Sequence, residues 1–168
     1  MVKNKQRAAR VEIEMIHRRT FLSGSGGALV VAVLGGLIST PAEAANGNIV
    51  TGQALRSVNA FRKANGRGAL QSDSALGRAA LEHSLSMARS GRLNHSRFQA
   101  RLRNHGIRGA AAENVARGQP NVASVVASWQ GSRGHRRNML GNFSRAGVAV
   151  ARDPASGNRP FWTMILAR

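Results

Sequence analysis

The hydrophobic pattern of this chain changes its period near the C-terminus, and that change most constrains the fold. Over most of the chain, apolar residues recur at the spacing of amphipathic helices. Near the C-terminus, Ala146, Val148 and Val150 alternate with smaller residues, which predicts a strand. Residues 161–167 predict a second strand, after a cluster of turn residues at 153–158. A hairpin that follows several helices predicts an α+β fold, with helices packed on a small antiparallel sheet.

Helices are predicted ahead of the hairpin wherever an apolar stripe is bounded by start and stop residues. Capping side chains precede several of these stripes, and glycines follow them. Pro120 and Asn121 introduce one helix, and Trp129 belongs to its apolar stripe. The predicted helices run from about 51 to 64, from a cap at 72 or 73 to 90, over about 97–104, onward from 121, and over 132–140.

The chain contains no cysteine. This excludes a disulfide framework, a thiolate metal site and a cysteine nucleophile. A small domain of this kind must therefore be stabilised by its apolar core alone. Hydrophobic residues make up 42% of the chain and charged residues 19%, a balance typical of a folded domain and not of a disordered chain. A length of 168 residues is expected to hold one domain and a leader.

Residues 1–44 are predicted to be a removed export signal. The polar, basic start of this segment ends in a pair of arginines, Arg18 and Arg19, followed closely by Phe21 and Leu22. An arginine pair in this position, ahead of a weakly apolar stretch, is typical of a twin-arginine signal. We therefore expect the protein to be exported to the periplasm or the exterior of the cell.

The rest of the leader fits the same interpretation. Residues 26–38 form a short apolar run containing several glycines, and small residues around Ala44 provide a signal peptidase site after that residue. The run is short for a membrane-spanning helix, although an uncleaved anchor is the alternative. After cleavage we expect no transmembrane helix, a short extension at 45–52 and one domain at 53–168, which we expect to be a monomer.

The charge of the chain favours anionic partners. The whole chain has a net charge of +18, and residues 45–168 alone carry 19 basic and four acidic side chains, a net charge of +15. Such a domain is attracted to acidic envelope polymers and to anionic lipid headgroups. The arginines are scattered and form no block with an interleaved aromatic platform, which disfavours nucleic acid as a partner. A general habit of arginine usage is the alternative explanation.

Three polar residues, His95, Glu113 and His135, stand out as candidates for chemistry. Two imidazoles and one carboxylate are the protein ligands of an open zinc site, in which water or substrate takes the remaining position. The three residues are far apart in sequence and form no local ligand motif. Structural roles, with the carboxylate fastening a loop and the histidines bonded to carbonyl groups, therefore remain the alternative.

Three arginines flank the third candidate, His135. Arg133, Arg136 and Arg137 would oppose a bound cation if their guanidinium groups faced His135, and they would instead favour an anion. We therefore treat these arginines as possible anion contacts.

Six sequence elements, in order and over nearly all of residues 53–168, carry a resemblance to a known family. They are LRSVNAFR at 55–62, the apolar helix at 76–88, NHS at 94–96, ENVA at 113–116, Trp129 with GHRRNML at 134–140, and NFSRAGVAV at 142–150. Together these elements resemble the bacterial branch of the CAP superfamily, the SCP-like extracellular proteins.

The resemblance implies an α-β-α sandwich whose central cleft gathers two histidines and two acidic residues. On this chain, it assigns the cleft to His95, Glu113 and His135. The second acidic position, just after the family tryptophan, has no counterpart, because Gln, Gly and Ser occupy 130–132. The missing carboxylate weakens any acid–base scheme that needs two such groups.

Three functions follow as expectations. The first is a non-catalytic binding module whose cleft binds a small ligand or a divalent metal, with zinc favoured. The second is a metal-dependent hydrolase of an envelope substrate, with Glu113 as the base. The third is a basic envelope adhesin that contacts an anionic polymer or lipid through its arginines.

Overall fold

A computed structural model describes residues 44–168. The predicted signal motif, Arg18, Arg19, Phe21 and Leu22, lies outside the described residues. The helices are α1 (Thr51–Ala64), α2 (Ser74–Ser90), α3 (Phe98–Asn104), α4 (Val122–Gly131) and α5 (Arg133–Met139). The strands are β1 (Asn46–Ile49), β2 (Gln71–Ser72), β3 (Ala111–Arg117), β4 (Arg145–Arg152) and β5 (Phe161–Ala167). None of the described helices combines the length and the apolar character needed to cross a membrane.

The strands form one small sheet in the order β1-β4-β5-β3, with the short β2 beside β4. The predicted hairpin is present, because β4 and β5 pair antiparallel with Val148 opposite Met164. Strands β1 and β3 pair antiparallel with β4 and β5, respectively, whereas β2 pairs parallel with β4. The sheet is therefore largely antiparallel, as the sequence predicted.

Both faces of the sheet are covered by helices. Alternate residues of a strand point to opposite faces, so Val148 and Met164 pack with the apolar residues of α1 and α4. Their neighbours Ala149 and Ile165 pack on the other face against α2 and α3. Trp129, which is fully buried, completes the first of these layers. The result is the expected α-β-α sandwich of the α+β class.

The helix boundaries follow the capping residues of the sequence. Asp73 accepts a hydrogen bond from the backbone N–H of Leu76 at 2.9 Å, which begins α2. Gly91 ends that helix with φ of 66°, a left-handed conformation that glycine adopts without strain. Asn121 and Ser124 form a reciprocal capping box that begins α4.

Gly147 allows α2 to approach the sheet closely. A Cβ atom at this position of β4 would lie 2.2 Å from the backbone nitrogen of Gly77 and 2.2 Å from the carbonyl carbon of Leu76. Any larger residue would therefore force α2 away from β4. The position of α2 matters for the candidate site, because α2 supplies its fully buried histidine, His83.

Strands β1 and β3 were not predicted from the sequence. Residues 45–52, predicted to be an extension, contain β1 and the first turn of α1, and β1 is part of the sheet. This strand is short, mostly exposed and rich in small polar residues, so it shows no alternation. Strand β3 resembles only an apolar run in the sequence, because Glu113 and Asn114 interrupt its pattern. It is nevertheless the strand that carries the candidate carboxylate.

Candidate functional site

The Glu113 carboxylate lies at the centre of a buried polar cluster. The side chain is 2% exposed, and its Oε2 atom accepts a hydrogen bond of 2.5 Å from Nη2 of Arg101. Arg101 extends from α3 and is itself 4% exposed. Because removal of a charge from water is costly, each of these buried ions needs the other.

His95 forms a hydrogen bond with the other oxygen of the same carboxylate. Its Nδ1 atom lies 2.9 Å from Oε1 of Glu113. A carboxylate can only accept a hydrogen bond, so the ring proton belongs on Nδ1 and the lone pair of the neutral ring belongs on Nε2. The His95 side chain is 57% exposed, so this ring connects the buried carboxylate to the solvent.

A second histidine, His83, supports the segment that carries His95. His83 lies on α2, is fully buried, and donates a hydrogen bond from Nε2 to the carbonyl oxygen of Asn94 at 2.8 Å. Its Nε2 atom is also 3.6 Å from Oε1 of Glu113. Burial lowers the pKa of His83 below its ordinary value, despite the nearby carboxylate, so the ring is neutral at pH 7.

The segment around His95 is held at its other end by Arg101. Nη1 of Arg101 donates to the carbonyl oxygen of Ser96 at 3.0 Å, while Nη2 of the same guanidinium is bonded to Glu113. The His95 segment is therefore fixed to α2 through Asn94, to α3 through Ser96, and to β3 through its own imidazole. This arrangement positions the exposed ring on a rigid support.

His135 is brought to the same region by two asparagines. It lies on α5, and its carbonyl oxygen accepts a hydrogen bond of 3.1 Å from the buried Asn114, the neighbour of Glu113. Asn138, also on α5, donates to Asn114 Oδ1 at 2.9 Å and to the carbonyl oxygen of Glu113 at 3.3 Å. Strand β3 and α5 are thus joined beside the carboxylate.

The electrostatics of the two outer histidines are linked. Partial burial lowers the pKa of the half-buried His135, and the nearby ring of His95 lowers that pKa further. His135 is therefore a neutral imidazole at pH 7, with a lone pair available on one nitrogen. The structure thus brings His95 into contact with Glu113 and into electrostatic range of His135.

The arginines that flank His135 are exposed. Arg133, Arg136 and Arg137 all project from α5 into the solvent region. Within the described part of the chain, no carboxylate lies within ion-pair distance of any of the three. They form an uncompensated positive edge on α5, and solvent screens their effect on the imidazole of His135.

The donor set for a metal is incomplete. Both oxygens of Glu113 are already bonded to Arg101 and His95, and the positions at 130–132 hold no acid. Among residues 44–168, no group of three His, Cys, Asp or Glu side chains is placed to hold a metal ion. Glu113 therefore does not fit the role of a direct metal ligand in this arrangement, and the imidazole nitrogens of His95 and His135 are the remaining donors.

Sequence reasoning missed Arg101 and the hydrogen bond of His83, although the burial of His83 was expected. His83 lies on the buried stripe of α2, one turn after Ala79 and one turn before Met87, so its spacing was a signal that it faces the core. That spacing predicts packing in the core or at its rim and gives no sign of the bond to Asn94. Arg101 gave no such signal, because one buried arginine cannot be distinguished by sequence in a chain so rich in arginine.

The fold is that of an SCP-like domain of the CAP type, an α-β-α sandwich, and here Glu113 of β3 lies at the centre of its buried polar cluster. The family model of the cysteine-rich secretory proteins, CAP, matches residues 55–166. The chain therefore belongs to the CAP family, whose members are extracellular or secreted proteins. It does so without any of the cysteines for which the family is named.

The sequence relatives include the "Uncharacterized protein YkwD" of Bacillus subtilis (strain 168). It is 36% identical over an alignment of 98 residues, and the match covers 54% of this chain and 38% of that protein. The chain thus matches less than half of the length of this curated relative.

Solved structures share the fold at low sequence identity. An extracellular protein of Bacillus anthracis with an SCP domain has a TM-score of 0.61 at 23% identity, over 70% of this chain and 39% of that one. An outer surface protein of Borrelia burgdorferi has a TM-score of 0.63 at 16% identity, over 73% of this chain and 98% of that one. A cysteine-rich secretory protein of Staphylococcus aureus has a TM-score of 0.56 at 23% identity, over 68% of this chain and 36% of that one.

Proposed function

We propose that this chain is an exported, non-catalytic binding module that binds its ligand at the cleft formed by His95 and His135. The observation that carries the proposal is the state of Glu113. Its carboxylate is bonded to Arg101 on one oxygen and to His95 on the other. We infer that Glu113 supports the cleft from behind and leaves Nε2 of His95 as the atom that meets the ligand.

The same observation argues against a hydrolase. A general base needs an oxygen within hydrogen-bond reach of the proton that it removes. The Glu113 side chain is 2% exposed, and neither of its oxygens is free. In addition, Ser96 and Ser132 form no hydrogen bond with any histidine in the described part of the chain, so no serine nucleophile is activated there.

The chemistry of the cleft suits a divalent cation, and zinc is the probe that we favour. Neutral imidazoles are zinc ligands, and a histidine that donates its other N–H to a carboxylate is a common support for such a ligand. Two imidazoles supply only part of a coordination shell. Zinc would therefore bind reversibly, with its remaining positions open to water or to a donor group of a further ligand.

The positive edge of α5 supports the alternative of an anionic ligand. Arg133, Arg136 and Arg137 are exposed and uncompensated, so an acidic envelope polymer or a lipid headgroup could contact them. These guanidinium groups lie in solvent, and none of them is hydrogen-bonded to the His135 ring. Their repulsion of a zinc ion at that ring is therefore screened. The two ligands respond oppositely to pH, which makes them separable.

Export is the second half of the proposal. The leader motif at Arg18 and Arg19 predicts it, and relatives in the family are described as extracellular or outer surface proteins. Ala44 is exposed and lies two residues before β1. Cleavage after Ala44 would therefore leave every strand of the sheet intact.

Titration calorimetry with zinc and with sulfate tests the proposed ligand. We expect zinc to bind in the micromolar range near neutral pH and to bind more weakly in acid, because protons compete for the imidazoles. His95→Ala and His135→Ala should each abolish zinc binding. His105→Ala is the matched control, because His105 is bonded to Glu82 at 2.7 Å on the surface and should leave zinc binding unchanged.

Sulfate binding is expected to depend on pH in the opposite direction to zinc binding. If the arginines of α5 dominate, sulfate should bind instead, and more tightly in acid as imidazolium charge is added. Sulfate binding of this kind without zinc binding would replace the cation with an anion as the ligand of the cleft. If neither ion binds, the proposed binding function of His95 and His135 is wrong and the cluster serves the fold alone.

A further inference from the structure

A cavity of about 170 Å³ lies between α2 and α3, and it is a second candidate site. Its walls include Ser86 of α2, the Ser96 segment, and Arg97, Arg101 and Asn104 on or beside α3. Neither His95 nor His135 belongs to its lining. The cavity therefore adjoins the cluster around Glu113, because His83, Ser96 and Arg101 also line it, but it does not include the two histidines of the proposed function.

Arg101 presents one donor without an acceptor. Its Nη1 and Nη2 atoms donate to Ser96 and Glu113, but its buried Nε–H has no hydrogen-bond partner in the described part of the chain. A buried N–H of a charged group is rarely left unsatisfied, because loss of its hydrogen bond to water is costly. Arg101 lines the cavity, so a small shift of its side chain would bring this N–H within reach of an acceptor held there.

Arg97 adds a free positive charge at the same cavity. Its side chain is exposed, and no carboxylate of the described residues lies within ion-pair distance. Its backbone has φ of 57°, in the left-handed region where glycine is favoured. The backbone carbonyl of Arg97 accepts the first hydrogen bond of α3 from the N–H of Arg101 at 2.9 Å, whereas its side chain forms no cap of the helix and is free to contact a ligand.

Arg97 is the cation at the cavity that has no ion-pair partner among the described residues, while the half-exposed Glu82 places a negative charge at the cavity rim. Glu113 pairs with Arg101, and Glu82, which also lines the cavity, is bonded to His105 at 2.7 Å. Arg97 has no such partner, and the domain as a whole is strongly basic. An incoming anion is therefore attracted to this cavity, and hydroxyl and amide groups from Ser86 and Asn104 are available to bind its oxygens.

We propose that the cavity between α2 and α3 is a binding site for a small oxyanion, recognised by Arg97 and Arg101. The recognised chemistry is a group with several acceptor oxygens and a negative charge, either a phosphate group or a carboxylate group. Inorganic phosphate and acetate are the two probes that distinguish these sources. The site does not depend on the proposed function, since it shares no ligand-binding residue with the cleft.

Proton–nitrogen NMR of the arginine side chains of the full-length protein provides the test. The buried Arg101 Nε–H signal, assigned through its loss in Arg101→Lys, should shift and saturate as phosphate or acetate is added at millimolar concentration. Chloride at matched ionic strength should not reproduce the shift. Saturation by either oxyanion supports the site, and the tighter of the two identifies the recognised group.

Variants keep the test independent of folding. Arg97→Gln should weaken oxyanion binding about tenfold or more, as expected for the loss of a charged contact. Arg103→Gln, the same charge change on an exposed residue of α3, is the matched control. Arg97→Gly should weaken binding equally while it preserves or raises the melting temperature, because glycine relieves the left-handed backbone.

A change of shape tests the cavity itself. Ala100 lines the cavity, so Ala100→Leu should fill it and reduce oxyanion binding without any change of charge. Gln99→Leu, at the exposed neighbouring position, should have no effect. The proposal is overturned if no oxyanion saturates the Arg101 signal, if chloride acts equally, or if Arg97→Gln binds as the parent protein does; the cavity would then hold only water. His135→Ala, which should lose zinc binding, should still bind phosphate as the parent protein does.

Discussion

Arg101 and Glu113 form a buried ion pair, with Nη2 of the arginine 2.5 Å from Oε2 of the carboxylate. The pair joins α3 to β3, and both side chains are almost completely removed from solvent. Its second carboxylate oxygen is bonded to the exposed His95. The carboxylate that the sequence offered as a catalytic base is therefore part of the support of the cleft.

We predict that removal of one partner of this pair is strongly destabilising. Glu113→Leu leaves the guanidinium of Arg101 buried and unpaired, so the free energy of unfolding should fall by about 3–5 kcal/mol in a urea melt. The double variant Arg101→Met, Glu113→Leu removes both charges and should be more stable than Glu113→Leu alone. The pairing would be contradicted if the double variant were no more stable than Glu113→Leu, or if its loss of stability equalled the sum of the losses of the two single variants.

A matched control is available on the surface. Glu82 also pairs with a basic side chain, His105, but its own side chain is 55% exposed. Surface ion pairs contribute less than about 1 kcal/mol, so Glu82→Gln should change the free energy of unfolding by no more than that.

Arg62 gives a second prediction, about stability away from the site. This arginine of α1 is buried, and its guanidinium donates to the carbonyl oxygens of Gly68, Met139, Gly141 and Phe143. Arg62→Met should lower the free energy of unfolding by roughly 2–4 kcal/mol, since these carbonyl groups lose a charged donor. Arg56→Met, on an exposed position of α1, should stay within about 0.5 kcal/mol of the parent in the same melt.

The buried histidines predict how stability depends on pH. Burial lowers the pKa of His83 and of His135 in the native protein below the value of an unfolded chain. As pH falls below about 6.5, the unfolded chain therefore takes up protons that the native protein does not, and the free energy of unfolding decreases. The native state is correspondingly favoured at neutral pH.

His83→Gln isolates one of these two contributions. It should reduce the slope of unfolding free energy against pH by up to about 1.4 kcal/mol per pH unit, measured between about pH 6.5 and about pH 5. The double variant with His135→Gln should flatten the slope further. A slope that is unchanged in His83→Gln would show that His83 is not buried in its neutral form.

The leader gives a prediction about location. If Arg18 and Arg19 direct twin-arginine export, the variant with lysine at both positions should accumulate as an uncleaved precursor in the cytoplasm. Fractionation followed by N-terminal sequencing measures this, and the exported parent protein should begin at Ala45. Normal export of the double-lysine variant would contradict the twin-arginine assignment.

The fold could be predicted from sequence where local signals agreed. Asp73 and Asn121 cap helices whose apolar stripes have the helical period, and the hairpin follows from the alternation after Arg145. Strand β1 could not be predicted, because its strand partner β4 lies about a hundred residues later and leaves no local pattern. Whether two segments so far apart in sequence pair depends on how the helices and strands between them pack.

The candidate site could likewise be predicted only in part. His95, Glu113 and His135 could be chosen from their chemistry and from the resemblance, and the alternative that the carboxylate fastens a loop matches its pairing with Arg101, but the identity of that partner could not be predicted. The pairing depends on Arg101, one of many arginines, and on backbone geometry that brings α3 against β3. The link from Asn138 to Asn114 likewise appears only when α5 and β3 are placed together.

If Glu113 orients His95 so that Nε2 meets the ligand, the two ring nitrogens of His95 must differ in protonation. The most direct measurement is the tautomer of each imidazole, read by proton–nitrogen NMR of the parent protein and assigned with His95→Ala and His83→Ala. The account predicts a proton on Nδ1 and a bare Nε2 in His95, and the reverse in His83, whose Nε2 donates to Asn94. When zinc is added, the Nε2 signal of His95 should then be the first imidazole signal to shift. A proton on Nε2 of His95, with Nδ1 bare, would contradict the account.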